Sequence, residues 1–381
     1  MNEIKLPELT YVDNIYALDS MMDHILLEPI VAVDTESNSL FAYQERVCLI
    51  QLSTKSRDYL VDPIAICDLS RLNDLFSSDH IEKVFHASDY DMVCLKRDFG
   101  YEFRNLFDTM IAGRTLGMNS VGLAAMLQTF FNLQVDKRYQ RANWGQRPLK
   151  DEMLEYARKD SHYLIALRDL LVKKLVEVQR LELVKEECAY LAKHTQPLQN
   201  HTADMWRIRG VNQLNTRQQA ALQSLYDFRE ELAKEKNKPP FKIISNQALL
   251  EIARSFPKYY KQLENISFLS KNHIHEYGNG LLDAIKRSER IVVKDRENHN
   301  RYDDVVQMLK ERLNDWRRDK GVSLGVPSDV IISKDMLNKV AEVNPQSLYA
   351  LKQLLQDLPV RFEHYGREIF DVIKKGKHYE N

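Results

Sequence analysis

Ile30-Val31-Ala32-Val33-Asp34-Thr35-Glu36 is the stretch that decides the fold. Four apolar residues rich in Val and Ile follow Pro29. They run into two carboxylates and then the polar Ser37-Asn38-Ser39. An apolar run of this length between turn residues reads as a buried strand. Ionised groups withdrawn from water need partners, so a buried strand ending in two acids is unusual. Side chains alternate along a strand, which points Asp34 and Glu36 the same way, about 6.5 Å apart along the chain. Two converging carboxylates make a hard, oxygen-rich site suited to Mg²⁺ or Mn²⁺. The stretch alone also allows a plainer reading, two solvated acids in a strand-to-loop turn.

The rest of the chain narrows the setting. Its 381 residues suffice for two or three domains. With 44% hydrophobic and 29% charged residues it is an ordinary globular sequence rather than a disordered one. Cys48, Cys67, Cys94 and Cys188 share no C-x-x-C spacing. That argues against a disulfide frame or a thiolate zinc site and suits a reducing compartment. The N-terminus does not read as a signal peptide, and no apolar run approaches the roughly 20 residues of a membrane span. A cytoplasmic protein without membrane contact is expected.

The net charge of −1 names no partner, but its distribution is uneven. Residues 1–212 hold 25 Lys+Arg against 31 Asp+Glu, a net of −6. Residues 213–290 hold 13 against 9, a net of +4, and residues 301–381 hold 14 against 13, a net of +1. Bound divalent cations would offset part of the N-terminal deficit. The basic middle segment is the better candidate for contact with phosphate.

Periodicity predicts a helix over 13–27, then strands at 30–36, 47–53 and 58–62, a short helix at 70–78 and a strand at 83–86. A helix over 89–98 stops at Gly100. Further helices are predicted from Asp108-Thr109, over 120–131, and from about 150 into the 190s. Strands mixed with helices that give way to helix alone predict an α/β domain with a mixed sheet, followed by helical modules.

Two later pieces could join Asp34 and Glu36. Asp91 follows His86-Ala87-Ser88-Asp89-Tyr90. With Ser88 as N-cap it would stand at N3, where the helix dipole and reciprocal capping favour a carboxylate without any catalytic role. Tyr156 and Asp160 are four apart in a helical pattern and so share a face. Taken singly, Tyr156 also fits a half-buried core position. Between these pieces, Lys137-Arg138-Tyr139-Gln140-Arg141-Ala142-Asn143-Trp144-Gly145-Gln146-Arg147-Pro148 interleaves cations with rings. Such a loop suits single-stranded nucleic acid, or else is a solvated loop anchored by its Trp.

The C-terminal third repeats itself. Shifted by 88 residues, 219–286 align with 307–374 without a gap, and 17 of 68 positions are identical, among them Ile-Ile-Ser at 243–245 and 331–333 and Tyr-Gly at 277–278 and 365–366. Chance at average composition gives about one in sixteen. These are two copies of one helical domain, each starting with a long helix, crossing a Pro-containing loop and continuing through short helices.

Asp34-x-Glu36, Asp91 behind His86 and Tyr156-x-x-x-Asp160 together resemble the three motifs of the DEDDy 3′→5′ exonucleases. The repeats resemble HRDC domains (helicase and RNase D C-terminal). This order of domains is similar to that of the bacterial ribonuclease D family, and the resemblance covers nearly the whole chain. It implies a ribonuclease H-like mixed sheet flanked by helices over 1–195, a connector at 196–212, a first HRDC domain at 213–290, a linker at 291–300 and a second HRDC domain at 301–377. It also implies 3′→5′ exoribonuclease activity with two divalent metal ions, Mg²⁺ or Mn²⁺. Asp34 would touch both ions, Glu36 and Asp160 would complete the water-activating site, Asp91 would serve the second ion, and Tyr156 would orient water. Lys137, Arg138, Trp144 and His86 would meet substrate. The implied partner is RNA, above all tRNA precursors and other structured RNA 3′ ends, with no protein partner required for activity. Two competitors stand beside this reading: a proofreading-type DNA exonuclease with the same core, and a nucleic-acid-binding module that has lost catalysis. The paired repeats speak against the first, and the presence of all four carboxylates against the second.

Overall fold

The structure, a computed structural model, describes residues 6–197, 204–291 and 304–375. The linker expected at 291–300 lies outside the described residues from 292 onward, as does 198–203 of the expected connector. The chain begins β1 (Glu8–Val12), α1 (Ile15–Ile25), β2 (Ile30–Ser37), β3 (Val47–Ser53), β4 (Arg57–Val61), α2 (Leu72–Phe76), β5 (Glu82–Phe85), α3 (Asp89–Phe99) and β6 (Leu106–Asp108). Helices α4 (Thr109–Thr115), α5 (Leu123–Phe131), α6 (Asp151–His162), α7 (Leu164–Glu177) and α8 (Leu181–His194) follow.

The strands form one sheet in the order β1-β4-β3-β2-β5-β6. Strand β2 lies inside it, antiparallel to β3 and parallel to β5. Its first four residues are buried and its last four only half-buried, so the apolar run anchors the strand and the acids emerge at its end. Helix α1 starts where the Asn14 side chain accepts the Ala17 N–H at 3.0 Å, and it buries Leu18, Met21, Met22 and Ile25 against the sheet. The expected stop of α3 is met by Gly100 at φ +72°, a left-handed conformation that glycine adopts at no steric cost.

The structure corrects four expectations. Glu8–Val12, unassigned from sequence, is an edge strand held by parallel pairing to β4 from Glu8↔Arg57 to Val12↔Val61. Leu106–Asp108, also unassigned, pairs with β5. Both are short, and their pairing partners rather than their own periodicity make them strands. The continuous helix expected from 150 into the 190s is three helices, with breaks at Tyr163 and at 178–180, where Gln179 takes φ +56°.

The fourth correction concerns the repeats. The first copy contains α9 (Thr216–Glu235), α10 (Pro240–Ile243), α11 (Asn246–Ser255), α12 (Tyr260–Leu263) and α13 (Lys271–Ser288). The second contains α14 (Asp304–Leu324), α15 (Ser328–Ile331), α16 (Lys334–Val343), α17 (Leu348–Leu354) and α18 (Pro359–Lys375). Each copy closes on a long helix rather than a short one. The shared sequence produces shared local structure. Arg229 Nη1 donates to Ile244 O at 3.2 Å, and Arg317 Nη1 to Ile332 O at 3.1 Å. Ser245 and Ser333 N-cap α11 and α16, whose C-caps Phe256 and Asn344 are both left-handed.

Candidate active site

The half-buried end of β2 and the last turn of α6 bring three carboxylates together. One oxygen from each of Asp34, Glu36 and Asp160 falls within 4.8 Å of the others. Helix α6 packs over β2, β3 and β4. It is pinned there by two buried contacts, Ser53 Oγ to Ser161 Oγ at 2.8 Å and Arg158 Nη2 to Asp58 Oδ2 at 2.7 Å. Arg158 is only 5% exposed because it holds that pair.

Asp91 stands beside this trio on the first turn of α3. It is buried, and the Thr35 hydroxyl, from between Asp34 and Glu36, donates to its Oδ1. The capping box that could have explained Asp91 is not formed. Ser88 makes no side-chain cap bond and instead gives its hydroxyl to Asp108 at 2.8 Å. Asp89, the neighbouring acid, lines a different cavity with Arg114, Glu187 and Arg361.

Crowding and mutual repulsion govern the charge state of the four acids. Desolvation is the largest cause in each case. It raises Asp34 well above the carboxylate range, with Asp91, Asp160 and Glu36 adding to the effect. Glu36 is likewise raised, with further contributions from Asp160 and Asp91. Desolvation pushes Asp91 and Asp160 up to about 7. No lysine or arginine is paired with any of the four among the described residues. Oxygen donors in this number, mutually repelling and without a protein cation, are what a divalent ion requires, so the donor set fits a metal.

A cavity of about 420 Å³ opens on the trio and is also lined by His86, Asp136, Lys137, Gln140 and Tyr156. Tyr156 lies one helical turn from Asp160. Its phenol is raised above the usual tyrosine value, first by burial and then by Asp160, Glu36 and Asp34. Its ring is set by Tyr139, edge-on at 5.7 Å, and by Trp144 at 6.2 Å. His86 Nδ1 lies 2.9 Å from the Thr109 hydroxyl, and burial lowers its pKa, so the ring that lines the cavity is neutral near pH 7.

The loop at 137–148 is divided by the structure. Lys137 lines the cavity as expected. Trp144 does not stack with anything from outside: it is 1% exposed and packs with Cys48, Leu49, Leu60, Met153 and Ala157. The expectation that it meets substrate is therefore corrected, because its apolar surface is consumed by the core under α6. Arg138 is exposed but forms an ion pair with Asp136, and it lines a neighbouring cavity of about 320 Å³ rather than the one over the acids. Arg147 is an anchor, forked onto Asp62 at 2.6 and 2.7 Å.

Sequence reasoning missed Thr35 and Asp108. Asp108 accepts the N–H groups of Ala87, Ser88, Met110 and Ile111 at 2.7–3.2 Å. It thereby holds Ala87 at φ +62° in the turn that leads to Asp91. An Asp at the predicted start of a helix was the available signal, but its second set of donors comes from 20 residues away.

Comparison with known proteins gives a consistent result. Residues 9–176 match the 3′-5′ exonuclease family, and residues 218–285 and 307–373 each match the HRDC domain. The chain is 34% identical over 260 residues to the exosome complex component 10 homolog of Caenorhabditis elegans, covering 67% of this chain and 30% of that protein. It is 27% identical over 320 residues to ribonuclease D of Haemophilus influenzae, covering 81% of this chain and 79% of that protein. The crystal structure of Escherichia coli RNase D shares the fold, with a TM-score of 0.66 at 24% identity over 92% of this chain and 99% of that one. The chain spans 30–45% of the length of the exosome-component and RRP6-type relatives it matches in worm, yeast and Arabidopsis.

Proposed function

Since this chain carries a DEDD-type 3′-5′ exonuclease domain followed by HRDC domains, we propose that it removes nucleotides one at a time from RNA 3′ ends and releases nucleoside 5′-monophosphates. The observation that carries the reading is the convergence of Asp34, Glu36 and Asp160 within 4.8 Å, with Asp91 alongside and Tyr156 on the same cavity.

DEDD-type exonucleases use divalent metal ions. Here Asp34, Glu36 and Asp160 would hold one ion, and Asp91, with Asp34, would serve a second, each Mg²⁺ or Mn²⁺. When bound, the ions supply the positive charge that eases ionisation of water and shields the phosphoryl oxygens. The side chains do the rest. Thr35 fixes the Asp91 carboxylate through its hydroxyl. The Tyr156 phenol stays protonated at neutral pH, so it orients the attacking water as a hydrogen-bonding group rather than as a base. Lys137 lines the cavity, where its ammonium would meet the phosphates of an entering strand. Attack at phosphorus breaks the P–O3′ bond, frees the terminal 5′-monophosphate and leaves a shortened strand with a new 3′-hydroxyl.

The substrates we propose are tRNA precursors and other small structured RNAs with 3′ extensions, in the cytoplasm. Among the described residues no helix is long and apolar enough to cross a membrane. Relatives named as exosome components belong, by those names, to an assembly, so independence from protein partners has no support among them. The first repeat, with its excess of positive charge, makes most of the repeat-borne RNA contacts through the region of Lys234, Lys236, Lys238 and Lys242. Lys242 lies 4.3 Å over the Phe41 ring, on the loop that follows the β2 carboxylates.

The test is digestion of a 3′-extended RNA and of the matching DNA with the full chain across a titration of MgCl₂ and MnCl₂. Stepwise release of 5′-monophosphates from RNA, abolished by chelation, is expected. Preference for DNA would select the proofreading-type alternative, and nucleic-acid binding without release would select the non-catalytic one.

A further inference from the structure

Gln51 lies in the middle of β3 and is 0% exposed, and neither its amide oxygen nor its amide nitrogen has a hydrogen-bond partner among the described residues. An amide offers two donors and an acceptor. Burying it unmet is unfavourable, and in a native fold such a group calls for a reason.

Its position supplies one. On one side Gln51 pairs in register with Asp34, and on the other with Leu60. Residues directly opposite in an antiparallel pair share a face, with Cβ atoms about 5 Å apart. Gln51 therefore stands on the face of the sheet that carries the metal-fitting carboxylates. The neighbours on that face locate it further. Ser53, two residues on, meets Ser161 at 2.8 Å, and Leu60 packs in one cluster with Ala157. The amide thus lies beneath the turn of α6 from Ala157 to Ser161, the turn that presents Asp160. A polar side chain with free donors is enclosed between the two elements that deliver Asp34 and Asp160.

We propose that Gln51 is a positioning residue for the metal site. With the ions in place, its amide N–H donates to an oxygen of the Asp34 or Asp160 carboxylate and fixes the ligand's orientation. The inference rests on the two-metal reading above. The carboxylates gain from it because an oxygen turned away from a cation still needs a donor, and groups supplying that second contact orient the ligand and raise its affinity. The metal-free fold gains nothing from the amide, which separates this role from one in packing.

Gln51→Met is close to isosteric and removes the amide, and Gln51→Leu removes it with a shorter apolar side chain. For each variant and for wild type, three quantities are measured on the full chain: the Tm without metal, the affinity for MnCl₂ by calorimetry, and kcat on a 3′-extended RNA. Gln51→Met should hold or raise the metal-free Tm, because an unmet buried amide is replaced by apolar surface. Both variants should lose roughly 10- to 100-fold in Mn²⁺ affinity and in kcat. A wild-type chain that neither binds Mn²⁺ nor digests RNA would overturn the metal reading itself. A competent wild type matched by either variant in Mn²⁺ affinity and kcat would overturn only the role of Gln51. So would a Gln51→Met that loses Tm while its folded fraction keeps full kcat.

Discussion

Asp91 and Glu186 are buried to the same degree, 8% and 7% exposed, on the same domain, but the protein surrounds them differently. Glu186 accepts the N–H groups of Val360 and Arg361 and pairs with the Arg361 guanidinium at 2.8 Å. Arg361 also reaches Glu187 at 2.6 Å and the carbonyls of Val330 and Ile331. Asp91 receives the Thr35 hydroxyl but no cation, and it stands among three more acids. A fully partnered buried carboxylate is a joint, here the one that seats the second repeat on α8. Four acids without a protein cation repel one another, and a bound cation, as proposed above, would relieve that repulsion. The two repeats differ in the same way. The second is bolted down, with Arg114–Asp329 at 2.5 Å and Lys193–Asp357 at 2.6 Å beside the buried joint. The first is held by the loop after β2 without a buried ion pair: Tyr43 packs on its core and bonds to Asn237 at 3.2 Å and Glu230 at 3.3 Å, and Lys242 lies over Phe41.

Neutralising one acid of the open group tests this contrast most severely. Asp34→Asn should lower kcat by at least about 10³-fold, or about 4 kcal/mol of barrier, while RNA binding survives and the metal-free Tm rises. Turnover above a tenth of wild type in Mg²⁺ would end the assignment, and a lower metal-free Tm would end the claim of repulsion.

Removing the partner at the joint should act on stability instead. Arg361→Ala leaves Glu186 buried without its cation and should cost about 3–5 kcal/mol, read by denaturant unfolding, with kcat on a short single-stranded RNA unchanged. Arg361→Met with Glu186→Leu should recover much of the loss. An equal loss in the double variant would mean that geometry rather than charge makes the joint.

Tyr156→Phe sharpens the reading of the cavity. The variant should lose roughly 10²-fold in kcat with the Tm unchanged, since the ring contacts with Tyr139 and Trp144 need no hydroxyl. Unaltered turnover would return Tyr156 to the core.

The metal-free protein should also show a distinctive pH dependence. Asp91 and Asp160 titrate near 7 when folded, against about 3.9 for a free Asp, so between these values the native state binds more protons than the unfolded one. Stability from this source is complete below about pH 4 and is lost as pH rises towards and through 7. The metal-free Tm should therefore fall across that window, and MgCl₂ should restore it at the alkaline end. A metal-free Tm that rises through the window would contradict the folded pKa values.

The sequence by itself determined much of this molecule. A Val- and Ile-rich run bounded by Pro29 and a polar stretch favours a buried strand, which puts Asp34 and Glu36 at its end on one face. Helical periodicity put Tyr156 and Asp160 one turn apart. A gapless 88-residue shift with Ile-Ile-Ser and Tyr-Gly in both copies required two similar helical domains. Local rules reach no further than neighbours along the chain. Trp144 looks the same in sequence whether it stacks on a base or fills the space under α6, and only packing decided for the core. Glu8–Val12 becomes a strand because β4 lies beside it. Arg361 and Glu186 are 175 residues apart, and the equivalent of Arg361 in the first repeat is His273, so only the tertiary structure could reveal which copy is fastened to the exonuclease domain. Burial, pairing and electrostatic repulsion are properties of groups brought together by the fold, and those properties separate the four open carboxylates from the closed one.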